Sequence, residues 1–248
     1  MKTSIATSDA STITIRGESL VDELIGKRSF TEMVYFLLQH RHPTAIEVKV
    51  LDACLVTLME HGFTPGALVA RMVADSVPEQ VQVPMAAGLL TVGSVFVGTM
   101  EGCAAILEQG ISVPDRAVYC EQVAHEHLAA KKPLPGFGHP FHKPDDPRTP
   151  RLFAVAREAG VAGSYIELLE LLSAAVDKAT GRHLTINATG AIGALLLEIG
   201  IAPDIMRAIA VISRCGGLAG HIVEERATHS ARHIWRLADQ HIPYEEAR

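Results

Sequence analysis

The residues best suited to chemistry are concentrated in one stretch. Residues 131–150, KKPLPGFGHPFHKPDDPRTP, hold six prolines, two glycines and two histidines. Proline blocks helix and stiffens a loop, while glycine lets backbone approach a ligand closely. His139 can donate or take a proton at a carbonyl or hydroxyl oxygen near neutral pH. Arg148 carries the fork that clamps a carboxylate, and Lys143 can meet a phosphate as a point charge. Asp145 and Asp146 lie among them, so ordinary salt bridges on a surface loop would use the same residues. A long, stiff loop rich in His, Lys and Arg in a helical chain is nevertheless where chemistry is expected.

Other candidates stand apart in the chain. His61 falls at a predicted helix end before Gly62, where the helix dipole would favour its charged form. Arg214 lies in the apolar segment AVISRCGGLAGHIVEE and needs an anionic partner, either a protein carboxylate or a ligand. His229 and His233 are four apart, a helical metal-ligand spacing, yet no supporting Glu motif accompanies them, so no metal is expected. His125 and His127, two apart, read as solvated. The chain has no Gly-Lys-Ser/Thr phosphate loop and no Gly-x-Ser-x-Gly elbow, which argues against nucleotide hydrolysis and α/β-hydrolase chemistry.

The elements that must position these residues read almost entirely as helix. Only Ile13 and Ile15 alternate like a strand, and Gly17 ends that run. Ser29 with Glu32 and Thr44 with Glu47 form capping boxes, opening helices over 30–39 and from 45 until Gly62. Ser164 with Glu167 reads as a third, opening a helix with Leu168, Leu171, Leu172, Ala175 and Val176 on its apolar stripe and Gly181 past its end. Further helices are expected at 65–76, 84–107, 114–130, 147–159, 190–200 and 203–225. Residues 191–199 and 205–212 are apolar on more than one face, so they belong to the interior of a packed all-α globule.

Composition bounds the function. Of 248 residues 48% are hydrophobic, 20% charged and 5% aromatic, with formal charge −6 and no Lys/Arg block. An aliphatic chain of this kind is not disordered, and nucleic acid or a basic membrane patch is not its expected partner. The uncharged stretch 81–100 is long enough to span a bilayer but lacks basic flanks and an aromatic belt. It is expected to be one helix buried among others. Cys54, Cys103, Cys120 and Cys215 are widely spaced, and MKTSIATSDASTITIRGE has no apolar signal region, so a reducing cytoplasm with free thiols is expected.

Six segments, in order, resemble the citrate synthase superfamily: FTEMVYFLLQHRHPT (30–44), MEHGFTPGALVARMVADS (59–76), AAGLLTVGSVFVGTMEG (86–102), GFGHPFHKPDDPR (136–148), HLTINATGAIGALL (183–196) and SRCGGLAGHIVEE (213–225). Together they cover roughly residues 15–240, and their order is far more specific than any single motif. The resemblance implies a large helical domain (1–96 and 190–248) and a smaller inserted helical domain that binds CoA (97–189). It also implies a homodimer or higher homo-oligomer with shared sites. Its substrates would be a CoA thioester and an oxo acid, with no bound cofactor. His139 would contact the substrate's hydroxyl or carbonyl oxygen, and Arg148 and Arg214 would grip carboxylates. Arg232 would be given to the neighbouring subunit's site. Lys143 with the backbone of Leu134, Gly136 and Gly138 would hold CoA, and His61 matches the histidine of the Asp-His-Gly segment of lyase-type members.

Two differences direct the reading. Where synthases carry a Leu-His-Gly loop, this chain reads Ser94-Val95-Phe96-Val97-Gly98; Phe96 is similar to the citryl-CoA lyase type, found as the C-terminal module of ATP-citrate lyase. Where the family has Asn-Val-Asp-Gly, with an aspartate that moves the acetyl proton, this chain has Asn187-Ala188-Thr189-Gly190. A threonine hydroxyl is far too weak a base to replace it, and losing such a group costs on the order of 10²- to 10⁴-fold. The resemblance thus implies carbon–carbon cleavage, or its reverse, on a citryl-CoA-like thioester, with His139 or His61 taking the hydroxyl proton. The proton route to carbon stays open between water relayed by Thr189, another residue, and a different substrate. A non-catalytic CoA-ester-binding paralogue and a citrate synthase-type acyltransferase are the alternatives.

Overall fold

Ser29 and Thr44 each accept a hydrogen bond from the backbone N–H three residues on, and Glu32 and Glu47 return the bond to the cap. Both capping boxes therefore form as their spacing predicts, opening α1 (Phe30–Gln39) and α2 (Ala45–Met59). These helices belong to a computed structural model that describes residues 1–95 and 97–246. α3 (Pro65–Ser76), α4 (Gln82–Leu89), α5 (Thr99–Gly110), α6 (Arg116–Ala129), α7 (Arg148–Ala159), α8 (Ser164–Thr180), α9 (Ala188–Glu198), α10 (Met206–Thr228) and α11 (Ser230–His241) follow. The fold is helical as expected, apart from a small antiparallel sheet before α1. There β2 (Ile13–Ile15) pairs with β1 (Ala6–Ser8) and β3 (Glu18–Ser19). β1 and β3 are short and mostly polar, so their sequences carry no alternating signal.

Several expectations change. The helix expected over 84–107 is two, α4 and α5, broken between Leu89 and Thr99, where Gly93 and Gly98 weaken helix. Val95 in that break is exposed, and Phe96 lies outside the described residues. The third capping box does not form: Gly163, not Ser164, is the N-cap of α8, and Ser164 makes no cap bond. Instead the Glu198 carboxylate, at the end of α9, accepts from the N–H groups of Gly163, Tyr165 and Ile166 at 3.3, 2.6 and 3.2 Å. A carboxylate at a helix N-terminus pairs orphan donors and opposes the dipole. Glu198→Ala is expected to cost about 1–2 kcal/mol of stability, read as a lower urea midpoint with unchanged slope. On the same helix Leu171 is exposed, and the buried stripe runs through Ile166, Leu168, Leu169, Leu172, Ala175 and Val176.

α9 is the centre. Every residue from Gly190 to Leu197 is buried, and it packs against α5, α8, α7 and α2. α10 is less enclosed than expected: Met206, Ile209 and Ala210 are buried while Ile205 is exposed, so one face meets α2, α3 and α4. The segment Pro203–Thr228 is long and apolar enough to cross a membrane by length and composition, although only a third of its most apolar window is buried. Cys54, Cys103 and Cys120 are buried free thiols and Cys215 is half-buried. His229 is the left-handed residue (φ 50°) joining α10 to α11, so His229 and His233 do not share one helical face as metal ligands would.

Candidate active site

Three histidines converge from two places in the chain. His61 follows the end of α2; His139 and His142 come from the proline-rich loop. The His139 and His142 rings stack with centroids 4.3 Å apart, and His61 lies 5.9 Å from His139 and 5.6 Å from His142. One nitrogen from each ring falls within 4.8 Å of the other two. His142 was not among the sequence candidates, since its two-residue Pro-Phe gap from His139 carries no periodic signal.

The loop is held by backbone pairing to the approach of α9. Gly138 N–H donates to Thr185 C=O at 2.8 Å, Asn187 N–H donates to Gly136 C=O at 3.0 Å, and Asn187 Nδ2 donates to Gly138 C=O at 2.9 Å. The glycines expected to offer backbone to CoA thus have these groups paired within the chain. Gly136 is also required sterically: a Cβ there would sit 2.7 Å from Cys103 Sγ and 2.9 Å from Gly190 Cα, at φ +86°. Leu134 is half-buried against the core, whereas Lys143 is exposed.

His139 is oriented by its own loop. The N–H groups of Phe141 and His142 donate to its Nδ1 at 3.1 and 3.0 Å. A nitrogen accepting two hydrogen bonds carries the lone pair, so the neutral ring holds its proton on Nε2, which is then a donor. Burial, then the neighbouring His142, lowers the His139 pKa, with Arg148 and His61 acting the same way and Asp146 opposing. This tautomer is ill suited to a metal, because Nε2 has no free lone pair. Arg148 Nη2 lies 3.4 Å from that Nε2; a guanidinium can only donate, so with the proton on Nε2 the contact is a proximity of positive charge and not a hydrogen bond.

Arg148 opens α7, and its fork grips Asp146: Nε to Oδ1 at 2.9 Å and Nη2 to Oδ2 at 2.7 Å. Asp146 is fully buried and also accepts from Ala188 N–H at 3.0 Å. Burial would raise its pKa, but the hydrogen bonds from Arg148 and Ala188 prevail and hold it at about 2. Asp145 instead meets His183 at 2.9 Å, so neither loop carboxylate is free to act as a base.

The turn that carries His61 is held through its backbone. The Glu60 carboxylate accepts from the N–H groups of His61 and Gly62 at 2.8 and 2.6 Å. His221 Nε2 lies 3.0 Å from Glu60 Oε1, and His221 Nδ1 accepts from Arg71 Nε at 2.8 Å. Arg71 is buried, lies over the Phe63 ring, and donates to Glu225 and Ser230. This relay joins α3, α10 and α11 to the His61 turn. It closes because Gly217 has no side chain: a Cβ there would meet Met59 C=O at 2.1 Å. The dipole expectation for His61 is overturned. Burial, followed by the charges of Arg148, His142 and Arg214, lowers its pKa and favours the neutral ring.

Arg214 projects from α10 with Nη1 buried and without a hydrogen-bond partner among the described residues. Burial lowers its pKa, opposed by the charge of Glu60. No carboxylate among the described residues hydrogen-bonds this nitrogen, and a buried guanidinium nitrogen left so is costly. Arg232 is not brought to this cluster: it is exposed on α11 and pairs with Asp75 at 3.0 Å. Thr189 donates to Asn187 Oδ1 at 2.6 Å and meets Thr99 Oγ1 at 2.8 Å. Its proton is engaged by a neutral amide, an arrangement with no base in it.

A neutral donor at His139, a neutral imidazole at His61 with no hydrogen bond among the described residues, and the nearby charges of Arg148 and Arg214 can hold an anionic oxo or hydroxy acid and move a proton at its oxygen. The profile of the citrate synthase C-terminal domain matches residues 38–238. The chain belongs to the citrate synthase family. Among family members, the citrate synthase of Synechocystis sp. is 25% identical over 203 residues, 80% of this chain and 50% of that protein. The 2-methylcitrate synthase of Shewanella oneidensis is 26% identical over 199 residues, 78% of this chain and 51% of that protein. The chain spans about half the length of these curated relatives. The structure of citryl-CoA lyase from Hydrogenobacter thermophilus is 32% identical, covers 100% of this chain and 95% of that one, and superposes with a TM-score of 0.89. The ATP citrate lyase of Methanosaeta concilii, solved with (3S)-citryl-CoA, shares the fold at 19% identity and TM-score 0.84, covering 100% of this chain and 42% of that one.

Proposed function

We propose that the protein is a carbon–carbon lyase, working in either direction, on a citryl-CoA-like 3-hydroxy-3-carboxyacyl-CoA thioester. The products of cleavage are acetyl-CoA, or another acyl-CoA, and an oxo acid such as oxaloacetate. The observation that carries this reading is His139 held as an Nε2–H donor beside Arg148, with Arg214 Nη1 buried and unpaired among the described residues. The full-length likeness to a citryl-CoA lyase supports the cleavage chemistry over condensation.

In this reading Arg148 and Arg214 bind the substrate carboxylates. His61, neutral and with ring nitrogens free of hydrogen bonds among the described residues, takes the tertiary hydroxyl proton. His139 donates to the same oxygen as it becomes the ketone of the oxo acid, which stabilises charge where it develops. Lys143, exposed at the loop edge, meets CoA phosphate. Residues 97–189 would close over the thioester, and Arg232 would serve a neighbouring subunit in a cytoplasmic homodimer.

The test is incubation of the purified protein with citryl-CoA, following acetyl-CoA and oxaloacetate by mass spectrometry. Appearance of both is expected. The engaged hydroxyl of Thr189 favours a second reading, binding without turnover; citryl-CoA retained with no product would decide for it.

A further inference from the structure

Cleavage of a 3-hydroxyacyl thioester moves one proton from oxygen to carbon. The hydroxyl loses its proton, the carbon–carbon bonding pair moves onto the carbon next to the thioester, and the resulting enolate must be protonated there. The group that protonates it must carry a transferable proton and reach the site.

Three nearby carboxylates are engaged among the described residues. Asp146 is clamped by Arg148, Asp145 by His183, and Glu60 by two backbone amides and His221. Thr189 donates its proton to Asn187. His139 uses Nδ1 as an acceptor for its own loop and Nε2 as the donor to oxygen. His61 is the neutral acceptor in this reading. One imidazole in the cluster then has no task. His142 is half-buried, stacks on His139 at 4.3 Å, and presents a nitrogen within 4.8 Å of those of His61 and His139. Neither of its ring nitrogens is hydrogen-bonded among the described residues, although its backbone N–H is used to orient His139.

We infer that His142 is a further catalytic residue, the acid that delivers a proton to the enolate carbon in cleavage and the base that removes it in condensation. This rests on the lyase reading of the same site. In cleavage, protonated His142 gives its proton to carbon and is left neutral, while His61 gains the hydroxyl proton; exchange with solvent returns both to their starting states. Proton balance is kept with no other reactant. The stack on His139 explains the short Pro-Phe spacing between them: it places the donor to oxygen and the donor to carbon side by side, as bond cleavage requires.

The experiment separates carbon protonation from the rest of the reaction. Wild type and His142→Ala are incubated with acetyl-CoA in D₂O, with and without oxaloacetate, and deuterium at the methyl carbon is followed by mass spectrometry. Citryl-CoA cleavage is measured in parallel, and CoA binding by calorimetry. His142→Ala is expected to lose exchange and cleavage by on the order of 10²- to 10⁴-fold. CoA affinity should be kept, and added imidazole should restore part of both rates, a rescue that a merely structural role would not show. Wild-type exchange that persists in His142→Ala overturns the inference alone. A wild type that neither exchanges nor cleaves overturns the reading of the site as well. Loss without imidazole rescue, together with weakened CoA binding, assigns His142 a packing role and overturns the inference.

Discussion

His139→Ala is expected to lower citryl-CoA turnover by on the order of 10²- to 10⁴-fold, with stability within about 1 kcal/mol of wild type. The reason is geometric. Two backbone N–H groups donate to Nδ1, so the ring enters the reaction with its proton already on Nε2. Alanine leaves those amides to water in a half-buried loop, a small loss, but removes the donor to the developing ketone. Single-turnover cleavage measures the effect; a variant within tenfold of wild type would assign the oxygen to another donor. The pH profile carries a related signature. His61 must be neutral to take the hydroxyl proton, and burial together with Arg148, His142 and Arg214 lowers its pKa from 6.5. The acid limb of kcat/KM should therefore lie below pH 6.5. Removing one of those positive charges should move it upward.

Arg148→Ala tests both that shift and the largest stability effect expected in the site. Its guanidinium is bidentate on a fully buried carboxylate, and breaking a buried ion pair by removing one partner costs about 3–5 kcal/mol. The sign with pH follows from the carboxyl. In wild type Asp146 titrates at about 2, below its ordinary 3.8, so its stabilisation is present above pH 4 and is lost as pH falls toward 2. Without Arg148, burial dominates and raises that pKa. The folded state then favours the protonated acid, and the variant's deficit should be greatest at neutral pH and shrink on acidification. Urea unfolding at pH 7 and pH 4 reads this directly. A deficit independent of pH would show that the pair is not the origin of the loss. Asp146→Asn in the Arg148→Ala background should recover part of the stability at pH 7, and Arg148→Lys should not restore the bidentate geometry.

Much of this molecule is legible locally. The boxes at Ser29/Glu32 and Thr44/Glu47 are visible because cap and partner lie three residues apart and act through backbone N–H groups whose positions the helix dictates. The same rule misled at Ser164, where the donors are met by Glu198 from another helix. No local spacing announces a cap 30 residues away. The reactive loop was visible from its prolines and glycines, and His139 and Arg148 from their types. His142 was hidden, because a stack between loop rings leaves no period.

The chain's residue order alone therefore sets most of the helices, the two local capping boxes, the stiff loop and the family likeness. Those follow from backbone chemistry and apolar periods acting over a few residues. Which side chains meet was settled by packing. Arg71 reaches His221 across 150 positions, and Arg214 Nη1 is buried without a partner among the described residues, only once α10 lies against α2 and α3. Apolar burial drives that assembly without direction or register. The polar contacts that select one arrangement exist only after the helices have packed.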